Sequence, residues 1–220
     1  MTTGRLVRDG PGGELVIEAS DLRYQREGRV VLDGASITVA AGETVAIMGP
    51  SGSGKSTLLA LLAGLEPPDS GSVDRRIEPS RTGLVLQGHG LISLLTAEEN
   101  VALPLQSRGR GTTPREIRRR AREALDAVRL GAVAAHLIEA LSGGQQQRVA
   151  VARALVVDPE VLLADEVTAS LDAETRDLVI ELLFARAAAG MSLVLATHDA
   201  RVASRADRVL HVEHGRLVDA

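Results

Sequence analysis

The sequence predicts an α/β fold, a strand-and-helix core interrupted by a helical insertion, and three observations carry that reading. Short apolar runs alternate with helical stretches over residues 44–88 and again after Pro159, which is the pattern of α/β architecture. One apolar run, Thr44–Met48, passes directly into a glycine-rich turn and then a helix. The stretch 90–158 between the two alternating regions holds no convincing strand.

In chain order, residues 1–13 are rich in glycine, proline and charge and are expected to form a flexible tail. Glu14–Ala19 alternates like a strand, and Ala35–Val39 resembles a second. Thr44–Met48 reads as a buried strand. Lys55–Gly64 is a predicted helix with Leu58, Leu59, Leu61 and Leu62 on its apolar side and Gly64 near its end. Pro67–Gly71 is a turn, and a strand is expected at Leu84–Leu86. Pro114–Leu130 has apolar residues at helical spacing among arginines and carboxylates, and Gly143–Val157 is a further helix. Beyond Pro159 come a strand at Val161–Ala164, a helix at Ala173–Ala189 and a strand at Ser192–Ala196. A hairpin is expected to close the pattern, Arg208–Val212 with Arg216–Val218 around Gly215. One domain is expected, its core built from about 14–88 and 159–220 and its helical part from about 89–158.

Composition narrows the function. The chain has 220 residues, long enough to bury a core without disulfides or a structural metal. Hydrophobic residues make up 45% of it but aromatics only 1%, namely Tyr24 and Phe184. The core must therefore be built from Leu, Val, Ile and Ala. Repeated aromatic platforms for single-stranded nucleic acid are excluded. No cysteine is present, which removes disulfides, Fe–S clusters, thiolate zinc sites and cysteine nucleophiles, and fits a reducing compartment. A formal charge of −4 offers no electrostatic case for nucleic acid. No apolar run reaches the ~18–20 residues that span a bilayer, and the N-terminus lacks a secretory apolar stretch. A soluble, intracellular globular protein is expected. Of 25 basic residues, Lys55 alone is a lysine.

Three motifs carry chemistry. Gly49-Pro50-Ser51-Gly52-Ser53-Gly54-Lys55-Ser56 matches the phosphate-binding loop at every fixed position, between a strand and a helix, with Thr57 following. Its glycines let successive N–H groups point inward at the mouth of a helix whose dipole attracts anions. Lys55 can reach the β- and γ-phosphates, and the Ser56 hydroxyl can bind Mg²⁺. An apolar strand ending in Asp165 places a carboxylate beside that loop, where it can hold the Mg²⁺ water shell, and Glu166 is the natural general base for an attacking water. Ser142, an N-cap, opens a helix through Gly143, Gly144 and Gln145, glycines that let a phosphate approach the backbone.

Phosphate loop, Leu-Ser-Gly-Gly-Gln and Leu-Leu-Ala-Asp-Glu, in that order, resemble the nucleotide-binding subunit of ABC transporters, from about Leu15 to Val218. The resemblance implies a P-loop NTPase core of ABC type with an N-terminal antiparallel β subdomain and an inserted helical subdomain. It implies ATP and Mg²⁺ as ligands, with Tyr24 stacking on adenine. Gln87 matches the glutamine that senses Mg²⁺ and the γ-phosphate, and His198 matches the switch histidine. Ser170-Leu171-Asp172 matches the loop that crosses the dimer interface. Two copies would pack head to tail, each ATP lying between the phosphate loop of one and Ser142-Gly143-Gly144-Gln145 of the other. A separate transmembrane permease is the implied partner, placing the subunit at the inner face of the cell membrane without direct insertion.

Finer details resemble the lipoprotein-release, macrolide-exporter and cell-division group: Ala63–Gly71, Leu95–Pro104 and Leu162–Asp172. Two positions depart from that group, Val167 where proline is usual and Leu86 where phenylalanine is common. The apolar stretch His89–Leu95 lies where the family docks its membrane partner, though the same residues could start the helical part's own core. A drive unit for an export or lipoprotein-release permease is expected. A regulatory ATPase of cell-division type, signalling without transport, is the alternative. DNA-repair members insert a long coiled coil, for which the interval from Ser56 to Leu141 is too short.

Overall fold

The computed structural model describes residues 13–107 and 112–219. The expected tail over 1–13 lies outside the described residues apart from Gly13.

Among the described residues nine strands form two sheets. β1 (Leu15–Arg26), β2 (Arg29–Ala40) and β4 (Ser70–Arg75) make an antiparallel sheet in the order β2-β1-β4. β3 (Thr44–Met48), β5 (Thr82–Val85), β6 (Val161–Asp165), β7 (Ser192–Ala196), β8 (Arg208–Glu213) and β9 (Arg216–Asp219) make the second, in the order β5-β6-β7-β3-β8-β9. All of its neighbours run parallel except the closing β8–β9 hairpin.

The six α-helices described begin and end on side-chain chemistry. α1 (Lys55–Ala63) stops at Gly64, whose φ of 74° suits a residue without Cβ. α2 (Ala97–Ser107) starts on a reciprocal pair: Glu99 N–H donates to the Thr96 hydroxyl, and Thr96 N–H donates to the Glu99 carboxylate. Thr113 caps α3 (Pro114–Ala127), with proline in its first position. Ser142 and Gln145 close a capping box on α4 (Gly143–Leu155), and Asp172 caps α5 (Ala173–Ala188). α6 (Ala200–Ala203) is a single turn capped by Asp199.

The parallel sheet is buried on both faces, and its side chains divide by strand periodicity. Val161 and Leu163 of β6, with Val194 and Ala196 of β7, face a core shared with α1, β1 and β2. Leu162, Ala164, Leu193 and Leu195 face the opposite core, shared with α2 to α5. The largest fully buried side chains are leucine and isoleucine throughout, as the composition requires.

Four elements depart from the sequence expectation, one of them β2, which starts at Arg29 and not at Ala35, its first two residues exposed. β1 runs on past Ala19 through register shifts between Ala19 and Arg23, where Asp21 has a φ of 50°. Those shifts break the two-residue alternation that marks a strand. β4 replaces the latter part of the expected turn; it lies at a sheet edge and is almost entirely exposed, so no apolar pattern announces it. α2 carries Pro104 within it, which hides a helix whose Thr96-x-x-Glu99 start is otherwise legible.

Truncating Leu163, fully buried between β6 and α1, is expected to cost about 2–5 kcal/mol. Urea unfolding of Leu163→Ala followed by far-UV circular dichroism measures it; an unchanged midpoint would contradict the packing.

Candidate nucleotide site

The carboxyl ends of three adjacent strands build the site. β3 feeds the loop 49–54, β6 ends at Asp165, and β7 ends one residue before Thr197 and His198. Backbone bonds tie these ends together: Thr197 N–H donates to Ile47 O (3.0 Å), and Glu166 N–H to Ala196 O (3.0 Å).

The loop's conformation needs its glycines. Gly49 has a φ of 147°, and a Cβ there would lie 2.9 Å from Ser53 Oγ and 3.1 Å from Val212 O. Gly54 has a φ of 105°, and its Cβ would press at 3.1 Å on Val31. The loop therefore packs closely on the strands behind it and delivers α1 with its first N–H groups facing the cleft. Lys55, only 5% exposed, curls over the loop and donates to Gly49 O (2.9 Å) and Pro50 O (3.1 Å).

A cleft of about 560 Å³ opens above this loop. It is lined by Arg26, Val31, Gly49, Pro50, Ser51, Gly52, Gly54, Lys55, Ser56, Thr57, Gln87, Glu166 and His198. Glu166 sits between two cations or potential cations: one carboxylate oxygen is 3.9 Å from Lys55 Nζ and the other 2.9 Å from His198 Nδ1. Its backbone adopts a φ of 48°, a left-handed conformation uncommon for a side chain with a Cβ. That turn lets the chain leave β6 and still present the carboxylate to the cleft. His198 is exposed on the cleft's rim.

Asp165 lies beneath, 1% exposed, with neither carboxylate oxygen hydrogen-bonded among the described residues. Burial pushes its carboxyl up from the usual carboxylate range, more strongly than the nearby Ser56 hydroxyl pulls it down. An orphaned buried carboxylate beside a hydroxyl and near Gln87 fits Mg²⁺, which is held by one or two carboxylates plus substrate phosphates and keeps several waters. No cluster of three or more His, Cys, Asp or Glu occurs among the described residues, so a cage of protein ligands alone is not what the site offers.

The remaining expected residues stand elsewhere. Ser53 lines a neighbouring groove on the other side of the loop, with its hydroxyl buried and unpaired among the described residues. Tyr24 is absent from the cleft lining: its hydroxyl donates to Glu66, and the Arg26 guanidinium, 5.9 Å from the ring centroid, also bonds Glu66 at 2.9 Å. Arg26, two residues along β1 from Tyr24, forms that part of the wall instead. Its position on the same face of the strand was the only sequence signal for it. Ser142, Gly143, Gly144 and Gln145 are also outside the cleft. A Cβ on Gly143 would meet nothing within 4 Å, whereas one on Gly144 would lie 3.3 Å from Ser170 O. Ser170, Leu171 and Asp172 thus pack beside the signature helix of the same chain.

Residues 32–169 match the family described as ABC transporter. The lipoprotein-releasing system ATP-binding protein LolD of Acinetobacter baylyi is 41% identical, over 94% of this chain and 98% of that protein. The uncharacterized ABC transporter ATP-binding protein YbbA of Escherichia coli is 42% identical, over 85% of this chain and 88% of that protein. The methionine import ATP-binding protein MetN of Brucella abortus is 39% identical over 93% of this chain, which spans only 59% of that longer relative. Among solved structures, the ATP-binding cassette MJ0796, dimeric in a post-hydrolysis state bound to ADP and Pi, superposes with a TM-score of 0.85 and 36% identity. That likeness covers 91% of this chain and 96% of the other. A phosphate loop, two strand-end acids and a rim histidine around one cleft, joined to these likenesses, make the chain a member of the ABC transporter family, in its ATP-binding domain.

Proposed function

We propose that the chain binds Mg-ATP in the cleft over Lys55, hydrolyses it to ADP and phosphate, and drives a separate membrane permease as a head-to-tail pair of copies. The convergence of Lys55, Gln87, Glu166 and His198 on one cleft carries the reading. Lys55 and the first N–H groups of α1 counter the charge of the β- and γ-phosphates. Glu166 accepts the proton of an attacking water, held in place by the bond from His198, which also faces the γ-phosphate. Asp165, Ser56 and Gln87 would hold Mg²⁺, which supplies charge neutralisation across the phosphates. Adenine rests toward the Arg26 and Tyr24 end of β1.

The exposed start of α4 supports a second copy. Gly143 has open space around it and Ser142, its N–H closed by the Gln145 side chain, stands exposed beside it, away from this chain's own cleft; this turn suits a phosphate brought by a partner copy. Each nucleotide then bridges two chains, and loss of the γ-phosphate removes the bridge. An export or lipoprotein-release permease is the favoured partner, because the LolD likeness runs along 98% of that relative. The exposed Ile92 and Leu94 supply an apolar face for it. Co-purification of the permease, then ATPase assays with lipoprotein or methionine added, separates the release reading from import. Stimulation by methionine alone would reverse the preference, and a permease partner with no transported substrate would favour regulatory signalling.

Three substitutions test the site. Glu166→Gln is expected to bind ATP, accumulate as a dimer on size exclusion and lose about 10²–10⁴ in turnover; normal hydrolysis would remove Glu166 from its role. Lys55→Ala is expected to cost about 1.5–3 kcal/mol of ATP binding, roughly 10- to 100-fold in Kd; calorimetry with unchanged affinity would refute the clamp. Asp165→Asn removes a buried charge that lacks hydrogen bonds, so in metal-free buffer at neutral pH its melting temperature should exceed the parent's. Because the folded carboxyl titrates above its ordinary value, that advantage should shrink as pH falls through the carboxylate range. A lower melting temperature at neutral pH would show that the carboxylate is satisfied.

A further inference from the structure

Directly after Gln87 the backbone makes an unusual excursion. Gly88, His89 and Gly90 have φ values of 90°, 65° and 56°, three consecutive residues in the left-handed region, one of them with a full side chain. A residue with Cβ enters that region only at a steric cost, and two main-chain bonds, His89 N–H to Leu86 O (3.1 Å) and Gly90 N–H to Gly88 O (2.8 Å), support the turn from within. From outside, one side chain braces it. Arg153, on the third turn of α4, donates from Nη2 to His89 O (2.8 Å) and from Nη1 to Gly90 O (2.6 Å). Both nitrogens of the fork are thus used on neighbouring main-chain carbonyls, and no carboxylate pairs with Arg153 among the described residues. A partly buried guanidinium without a counter-ion is held by those dipoles, and its burial pushes its pKa down from the usual arginine value.

Among the described residues the two Arg153 bonds are the hydrogen bonds that join the 88–90 turn to α4. One end of the contact is the segment that leaves Gln87, a residue of the cleft wall. The other end is the helix whose first turn is Ser142–Gln145. A 13-residue helix moves as a rod, so displacement of its N-terminal turn is felt at Arg153. Farther along, Asn100 clamps the same loop from α2, accepting from Ile92 N–H (2.8 Å) and donating to Ile92 O (3.0 Å) and Thr96 O (3.0 Å). The loop is consequently fixed at both ends, by Arg153 next to Gln87 and by Asn100 next to the exposed Leu94.

We infer that Arg153 is a positioning residue for ATP hydrolysis: by holding the left-handed 88–90 turn, it sets Gln87 in the cleft according to the position of the signature helix. It lies outside the cleft lining and acts through the backbone of His89 and Gly90. The inference rests on the ATPase reading above.

The test uses Arg153→Lys, which keeps the charge but loses the two-pronged fork, and Arg153→Met in case the lysine finds a substitute bond. Both are expected to bind ATP with parental Kd and to fall about 10- to 100-fold in kcat, with faster amide hydrogen exchange confined to residues 87–92. His89→Gly lowers the cost of the left-handed turn; combined with Arg153→Lys it should restore most of the kcat lost in Arg153→Lys. Parental kcat in both arginine variants, a loss of affinity in place of kcat, or no rescue by His89→Gly would overturn the inference. Parental protein that hydrolyses no ATP would overturn the ATPase reading instead, and the exchange pattern would then decide the role of Arg153 alone.

Discussion

Thr197 N–H donates to Ile47 O at the end of β3, and Glu166 N–H donates to Ala196 O at the end of β7. These two bonds extend the parallel ladder one step beyond the strands, and the rest of the site depends on them. Because β6, β7 and β3 lie side by side in register, residues more than a hundred positions apart leave the sheet at one edge. Asp165, Glu166, His198 and the loop after Met48 therefore converge without any of them needing a long, flexible side chain. Parallel sheets collect function at the carboxyl edge for this reason. The buried Leu, Val, Ile and Ala on both faces supply the rigidity that keeps the register.

Charge within that frame is arranged by depth. Asp165 is buried and unpaired, Lys55 is buried but bonded to carbonyls, Glu166 is partly screened, and His198 stands in solvent. The lower groups are the ones that a cation and phosphates would satisfy. The upper ones bond each other across the rim, Glu166 to His198 Nδ1, with His198 in contact with solvent. A single chain supplies the acidic and lysine side of this arrangement, while the Ser142–Gln145 turn stands outside the cleft.

Local chemistry was legible from sequence; contacts between distant segments were not. The phosphate loop, the two acids and the capping Ser142 announce themselves because each is a short pattern whose geometry is determined by its neighbours. β3, β6 and β7 are readable as uninterrupted apolar runs. β4 was hidden by its exposure at a sheet edge, α2 by Pro104, and the length of β1 by its bulges. Arg26 and Arg153 were indistinguishable from other arginines in a chain that uses arginine almost everywhere. Arg153 gains its meaning from carbonyls more than sixty residues away. Tyr24 shows the same limit: the family resemblance sets its ring against adenine, and no pattern in the sequence announces that Glu66, just beyond the end of α1, holds its hydroxyl.

The grip of Lys55 on the Gly49 and Pro50 carbonyls has a chemical consequence beyond nucleotide binding. The protein carries one ε-amino group, and that amine is both enclosed and bonded. Acylating or carbamylating reagents therefore meet a single side-chain target, reachable only while the ammonium has released the loop and lost its proton. The modification rate at this one atom is a natural clock for loop opening, readable in the unaltered sequence without attaching a label.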